Sequence, residues 1–354
     1  MEKDRIVIGI THGDINGISY EIILKTFADS TILKQVIPVI YGSPKVAAYN
    51  RKMLDIQSVN MNIINNIKDL NTKRVNIINV VGDEIKVEVG LSTAEAGEAA
   101  YLALERATED LKNGRLDALV TAPINKKNIQ SNKFNFPGHT EYLQNKFGNG
   151  TTGLMLLIND LMRVAVVTGH IPFEQVAKKL TTELIFTKIQ QLDRSLVEDF
   201  SITRPRIAVL GLNPHAGDNG VIGNEENDII IPALKLAAEN GIVCLGPYSA
   251  DGFFGSGQFK KFDGILAMYH DQGLIPFKTV SMETGVNFTA GLPIIRTSPD
   301  HGTAYDLAGK NIASEESFRH AIYAAVDIYR SRAAYKKMTA NPLKIELKIE
   351  QRDE

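Results

Sequence analysis

The sequence predicts an α/β protein in which largely parallel strands are covered by helices and divided between two domains, and three observations carry that prediction. Short runs rich in β-branched residues alternate with longer segments of helical period along the chain. The 354 residues exceed the roughly 150 expected of one domain, so each of two domains has enough chain for its own core. An apolar share of 44% with 23% charged residues is that of an ordinary globular protein.

In chain order, Arg5 to Gly9, Val36 to Tyr41, Val75 to Val80 and Asp117 to Thr121 read as buried strands. The clearest helix runs from Thr93 to Leu111. Its opening Ser92-Thr93-Ala94-Glu95 has capping-box spacing, in which the serine oxygen and the glutamate each satisfy a free backbone N–H. Asn113-Gly114 is its stop signal. Leu154 to Ile158, Arg163 to Val167, Arg206 to Leu210 and Gly264 to Met268 are further strands. Phe173 to Leu180, Glu183 to Val197, Asn224 to Asn240 and Glu315 to Tyr329 are further helices, the last with apolar Phe318, Ile322, Ala325 and Ile328. Asn60 to Asn71 reads as a variable surface region, and the charged tail after Ala340 as peripheral. Nearly all the unusual chemistry falls between residues 134 and 301, which are assigned to a second domain; residues 1–133 and 302–354 form the first, with the active-site cleft between them.

Composition excludes several classes of function. A net charge of −2 leaves no footprint for nucleic acid. No apolar run approaches the ~20 residues needed to span a bilayer. Met1-Glu2-Lys3-Asp4 leads into only a short apolar stretch, so a cytoplasmic location is expected. Cys244 is the only cysteine, which leaves nitrogen and oxygen as metal ligands.

Ligands in open α/β sheets bind beyond the carboxyl ends of strands, so polar residues just after apolar runs are the ones to inspect. Val164 to Val167 leads to His170, Ile207 to Leu210 leads to His215, and Ile265 to Met268 leads to His270. Three imidazoles suit zinc, cobalt, nickel or iron better than calcium, and can hold a Lewis acid over a substrate hydroxyl or carbonyl. Asp251 and Asp271 are candidates for orienting ligands, binding a substrate amine or moving a proton, and equally for capping turns. Pro137-Gly138-His139-Thr140-Glu141 precedes a helical stretch where backbone N–H groups, His139 and Thr140 can meet a phosphate. Lys278, Asn287 and Arg296 recur at nine-residue intervals and supply further donors, and Thr121 to Lys126 adds a wall of the cleft. Gly217, Gly220, Gly223, Gly252, Gly255 and Gly257 permit close approach of a cofactor and also serve ordinary turns. The chain contains neither a P-loop nor the dinucleotide-binding G-x-G-x-x-G, so the residues that bind a cofactor are not legible.

These motifs together resemble the 4-hydroxythreonine-4-phosphate dehydrogenase family of vitamin B6 (pyridoxine 5′-phosphate) biosynthesis, over Ile8 to about Ala334. The most specific pieces are Val120 to Lys126, Gly138 to Glu141, Gly169-His170, Leu212 to Gly217, Tyr269 to Gly273 and Arg296 to Thr303. The resemblance implies a fold like that of isocitrate and isopropylmalate dehydrogenases. It also implies that His170, His215 and His270 are metal ligands and that His139, Thr140, Lys278, Asn287 and Arg296 bind substrate. The implied reaction is NAD- or NADP-dependent oxidation of 4-phosphooxy-L-threonine at its 3-hydroxyl, followed by decarboxylation to 3-amino-2-oxopropyl phosphate. One divalent metal is implied per site, zinc first, with cobalt, magnesium, manganese or nickel as alternatives. A homodimer that shares the metal site across its interface is implied as well. The sequence departs from the family where Gly-Asp/Glu-Pro-Ala-Gly-Ile-Gly-Pro-Glu is usual, reading Gly13-Asp14-Ile15-Asn16-Gly17-Ile18-Ser19-Tyr20-Glu21. Dehydrogenases of phosphorylated threonate or erythronate, a metal-dependent phosphohydrolase and a non-catalytic binding protein are the competing readings.

Overall fold

The computed structural model describes residues 5–82, 84–281 and 283–342. The initial tetrapeptide and most of the charged tail lie outside these residues.

The first strands are β1 (Ile6–Thr11), β2 (Val36–Gly42), β3 (Met61–Ile64), β4 (Val75–Asn79) and β5 (Ala118–Thr121). They are interleaved with helices α1 (Ser19–Ala28), α2 (Pro44–Met53) and α3 (Ala94–Lys112). Then follow α4 (His139–Phe147), β6 (Leu154–Ile158), β7 (Arg163–Thr168), α5 (Val176–Lys179), α6 (Thr182–Glu198) and β8 (Ile207–Leu210). The chain continues through α7 (Ile231–Glu239), β9 (Cys244–Tyr248), α8 (Ala250–Gly255), β10 (Gly264–Tyr269) and α9 (His270–Ser281). It closes with β11 (Val286–Ala290), β12 (Arg296–Pro299) and α10 (Glu316–Thr339). The α/β class read from the sequence is what the chain builds.

Among the described residues, twelve strands join one sheet in the order β3-β4-β2-β1-β5-β12-β11-β6-β7-β10-β8-β9. The six strands from β3 to β12 are parallel, as are the four from β7 to β9. Between these blocks, β11 is antiparallel to both its neighbours, and β6 is antiparallel to β7. Helix α10 packs chiefly on β12 and β5, near the junction.

Alternate residues of each strand face opposite sides of the sheet, and the core divides accordingly. One face carries a continuous core beneath both blocks, with Ile8, Val120, Phe288, Leu156, Ala165, Val209 and Leu266. The opposite face has two cores. Val39, Leu119 and Leu143 belong to one, and Leu157, Val164, Leu210, Leu274 and Phe277 to the other. Between them the sheet carries polar side chains. Arg296 pairs with Leu119, and Asn287 pairs with both Ser298 and Leu157, so Arg296, Ser298 and Asn287 share the face that the two cores leave uncovered. Without apolar side chains to hold a helix down, that strip is the floor of a cleft.

Local chemistry corrects four readings of the sequence. Thr93, not Ser92, caps α3 by accepting from the N–H of Ala96, while Glu95 instead accepts from the N–H of Lys86. The segment read as a helix from Phe173 splits into a 3₁₀ turn at Phe173–Gln175 and the single turn α5. The one read from Asn224 opens with a π turn at Glu226–Ile230. Asn60 to Asn71 contains the edge strand β3, which the asparagines obscured.

In the departing segment the tight turn survives without prolines. Gly13 has a φ of 64°, and a Cβ there would lie 2.3 Å from the carbonyl oxygen of Pro123. Asp14 accepts from Asn128 Nδ2 at 2.8 Å and from the Tyr305 hydroxyl at 2.7 Å. The His12 imidazole bridges the Tyr20 hydroxyl at 2.9 Å and the Ala99 carbonyl at 3.0 Å. These side-chain bonds do the fixing that ring constraints provide elsewhere.

Candidate active site

The uncovered strip forms the floor of a cavity of about 290 Å³ whose walls include Thr121, Lys126, His139, Lys278, Asn287, Arg296, Asp300 and His301. Each arrives for a local reason. Thr121 ends β5, Arg296 begins β12, His139 begins α4 and Lys278 lies in the last turn of α9. Helix α4 starts at Gly138 without a side-chain cap, which leaves first-turn N–H groups available beside His139. Thr140 is half-buried in the same turn and does not line the cavity.

Arg296 dominates the electrostatics. It is only 4% exposed. Its Nε and one terminal nitrogen donate to Thr121 Oγ1 at 3.1 and 2.7 Å, and another terminal nitrogen lies 3.4 Å from Thr289 Oγ1. His139 Nδ1 is 3.3 Å from the guanidinium. Among the described residues no carboxylate pairs with Arg296, and burial lowers its pKa to about 10. A desolvated cation whose hydrogen-bond partners are neutral, offset only by the nearby charge of Glu141, is costly and invites an anion. Lys278 is half-exposed; its ammonium reaches the Asp300 carbonyl at 3.0 Å and carboxylate at 3.2 Å. Burial raises the Asp300 pKa, and Lys278 opposes the rise. His139 is driven well below its ordinary pKa by burial and then by the charges of Arg296 and Lys126. Its Nε2 and Asn287 Oδ1 are buried without partners among the described residues.

The metal candidates lie in a different setting. Strands β7, β10 and β8 are adjacent, so His170, His270 and His215 follow three neighbouring strand ends. His170 and His270 come together, with ring centroids 5.7 Å apart, in a crevice of about 460 Å³. Asp271 Oδ1 lies 2.7 Å from His270 Nδ1; accepting that N–H leaves Nε2 with its lone pair for a metal. Burial, then the Lys126 charge, lowers the His170 pKa. His215 is exposed and stands apart, the first of five successive left-handed residues with φ of 53, 51, 79, 43 and 58°. Four of these are not glycine, a strained run. Glu226 holds its base by accepting from the N–H groups of Leu212 and Asn213, both at 2.8 Å. Among the described residues of one chain, no three His, Cys, Asp or Glu side chains are placed to hold a metal.

Asp251 accepts from the Ser249 hydroxyl and lines a crevice of about 630 Å³ with Asn213, Glu225 and Gln272. That crevice shares Phe173, Val176 and Tyr269 with the histidine crevice. The charge of Lys126 in the Arg296 cavity acts on His170, and that of His270 acts on Asp300, so cavity and crevice are within electrostatic reach. Reasoning from sequence missed Thr121 as the support of Arg296, Asp300 as the partner of Lys278, and His301. The Arg296–Thr303 motif held the last two, but nothing in its spacing said which side chains face the cavity.

The family model described as "Pyridoxal phosphate biosynthetic protein PdxA" matches residues 34–325. The 4-hydroxythreonine-4-phosphate dehydrogenase of Bacteroides thetaiotaomicron is 57% identical over 344 residues, spanning 97% of this chain and 94% of its own. A protein of Oceanobacillus iheyensis, provisionally named D-threonate 4-phosphate dehydrogenase, is 38% identical over 91% of this chain and 97% of its own. The crystal structure of the 4-hydroxythreonine-4-phosphate dehydrogenase of Klebsiella pneumoniae superimposes with a TM-score of 0.81 at 35% identity, covering 93% of this chain and 99% of the other. The chain belongs to the PdxA family of pyridoxal phosphate biosynthetic proteins.

Proposed function

We propose that this chain is a dehydrogenase that oxidises 4-phosphooxy-L-threonine at its 3-hydroxyl with NAD or NADP and yields 3-amino-2-oxopropyl phosphate and carbon dioxide in the cytoplasm. The observation that carries the substrate class is the buried Arg296, unpaired with any described carboxylate, in one cavity with Lys278, Asn287 and His139. Arg296 and Lys278 meet the phosphate charge, and the His139 N–H adds a neutral donor. Thr140 stands beside His139 in the uncapped first turn of α4, whose N–H groups favour an anion nearby. Thr121 holds the guanidinium in register so that the carbon chain extends toward the histidine crevice.

The imidazoles of His170 and His270 fit a divalent metal in donor type and spacing, zinc first, with cobalt, magnesium, manganese or nickel as alternatives. When bound, such a metal stabilises negative charge on a substrate oxygen, and the nicotinamide cofactor accepts the hydride. A third donor is supplied by the second subunit of a homodimer, with His215 of the partner subunit as the candidate. Exposed apolar side chains that follow the three histidines within six residues of sequence support such an interface: Phe173 at 75%, Val221 at 80% and Ile275 at 63% exposure. Asp271 orients His270, and Asp251, held ionised by Ser249, is placed to meet a substrate ammonium or move a proton at the far crevice.

The test is direct. With 4-phosphooxy-L-threonine and either nicotinamide, absorbance near ~340 nm should rise. Inorganic phosphate released without that rise would overturn the reading in favour of a phosphohydrolase. The likeness to the Oceanobacillus protein favours phosphorylated threonate as the second reading, and faster turnover of that compound would make it the first.

A further inference from the structure

The Arg296 cavity contains two histidines whose hydrogen bonds fix opposite tautomers. At His139, Nδ1 lies 3.3 Å from a guanidinium nitrogen, which can only donate, so Nδ1 carries the lone pair and Nε2 the proton. At His301, Nδ1 lies 3.1 Å from the Gly302 carbonyl, which can only accept, so Nδ1 carries the proton and Nε2 the lone pair. Burial lowers the pKa of both rings, which keeps them neutral near pH 7. Both Nε2 atoms are buried and have no partner among the described residues.

A phosphate group can use the first of these atoms and not the second. Its oxygens accept hydrogen bonds, and Arg296, Lys278 and the His139 N–H donate them. A lone pair at His301 would repel a phosphate oxygen and requires a donor. We propose that His301 Nε2 accepts a hydrogen bond from a hydroxyl or ammonium on the carbon chain of the substrate, and so selects phosphorylated hydroxy and amino acids over simple phosphate esters. The assignment rests on the reading that the cavity binds the substrate's phosphate. Leaving a buried acceptor unmatched costs about 1–3 kcal/mol, so a ligand that lacks the donor is disfavoured. Asn287 Oδ1, also buried and unpartnered, offers a second acceptor in the same cavity.

Two measurements test this. In ¹⁵N NMR of histidine-labelled protein, the resonance assigned through its loss in His301→Gln should show an unprotonated Nε2; a protonated Nε2 overturns the proposal. The second compares affinities for 4-phosphooxy-L-threonine and for 4-phosphooxybutyrate, which has the same length and phosphate but neither hydroxyl nor amine. His301→Phe should weaken the first at least about tenfold and the second less than about twofold, and His301→Gln, whose amide oxygen can accept, should restore most of the loss. An unchanged affinity for inorganic phosphate shows that the cavity is intact in both variants. Equal losses for the two ligands, no loss for either, or a wild-type protein that does not distinguish them would each overturn the role of His301. Failure of the dehydrogenase reading is distinguishable, because it appears as wild-type protein that reduces no nicotinamide, while the tautomer and the paired affinities are read without turnover.

Discussion

The Arg296 cavity and the histidine crevice are built by opposite strategies. The cavity is finished within one chain: its guanidinium is buried and its hydroxyl support is in place. The crevice is open, with two imidazoles together and a third on an exposed, left-handed loop. The difference follows from chemistry. A phosphate can be bound by donors fixed in advance on strands. On the function proposed above, the crevice admits a substrate to a metal and is completed by a second subunit, which requires ligands on segments that remain accessible.

The largest predicted effect separates the two strategies. His170→Ala and His215→Ala homodimers should each lose bound metal and nearly all turnover, with little change in melting temperature, because neither side chain is in the core. In dimers mixed from the two variants, one of the two sites recovers both histidines if they come from different chains. Random reassortment of equal amounts should then return about a quarter of wild-type activity. Mixed dimers as inactive as the parents would place all three ligands in one chain, and normal metal content in His215→Ala would remove it from the site.

Next in size is Arg296→Met. Truncating a buried charge that pairs with a ligand costs roughly 3 kcal/mol, or on the order of a hundredfold in affinity. The loss should appear in KM and in inorganic phosphate affinity, and metal content should stay at its wild-type level. Because the free protein carries the desolvation cost of this guanidinium, the variant should melt no lower than wild type. An unchanged KM, or a fall in metal content, would break the division between the regions.

That division also shows what the sequence could reveal. Strand alternation and the α/β class were legible because burial on both faces writes apolar runs directly into the chain. Lys278, Asn287 and Arg296 could be named because they recur at nine-residue intervals as charged and amide donors. Their convergence was not legible: it depends on β12 returning beside β5 with β11 antiparallel to it, a pairing that local pattern does not encode. The cap on α3 slid by one residue because Ser92 and Thr93 are equally good acceptors in isolation. His301 was invisible as a site residue because its meaning lies in which ring nitrogen the Gly302 carbonyl engages.

Thr121→Val tests how the cavity is made rigid. Thr121 Oγ1 accepts two hydrogen bonds from Arg296. Replacing it with a near-isosteric methyl should cost about 1 kcal/mol, roughly fivefold in phosphate affinity. The guanidinium remains but is no longer aimed. A loss as large as that of Arg296→Met would mean that the charge acts only when held, and no loss would mean that the phosphate itself positions it.

The smallest effect concerns His139 and has a definite sign. Burial, Arg296 and Lys126 disfavour its protonated form, so between its lowered folded pKa and the ordinary value of about 6.5 the folded protein binds fewer protons than the unfolded chain. This group therefore contributes destabilisation as pH falls below the ordinary value. A bound phosphate cancels part of the cationic field at His139, so any proton exchange of this ring on phosphate binding should be uptake and not release. Calorimetry in buffers of different ionisation enthalpy measures that uptake, corrected for the titration of phosphate itself. His139→Asn should abolish the protein's share while keeping a neutral donor at the site. Proton release on binding, or uptake that survives the substitution, would show that the anion sits away from His139 and would move the phosphate out of the preformed cavity.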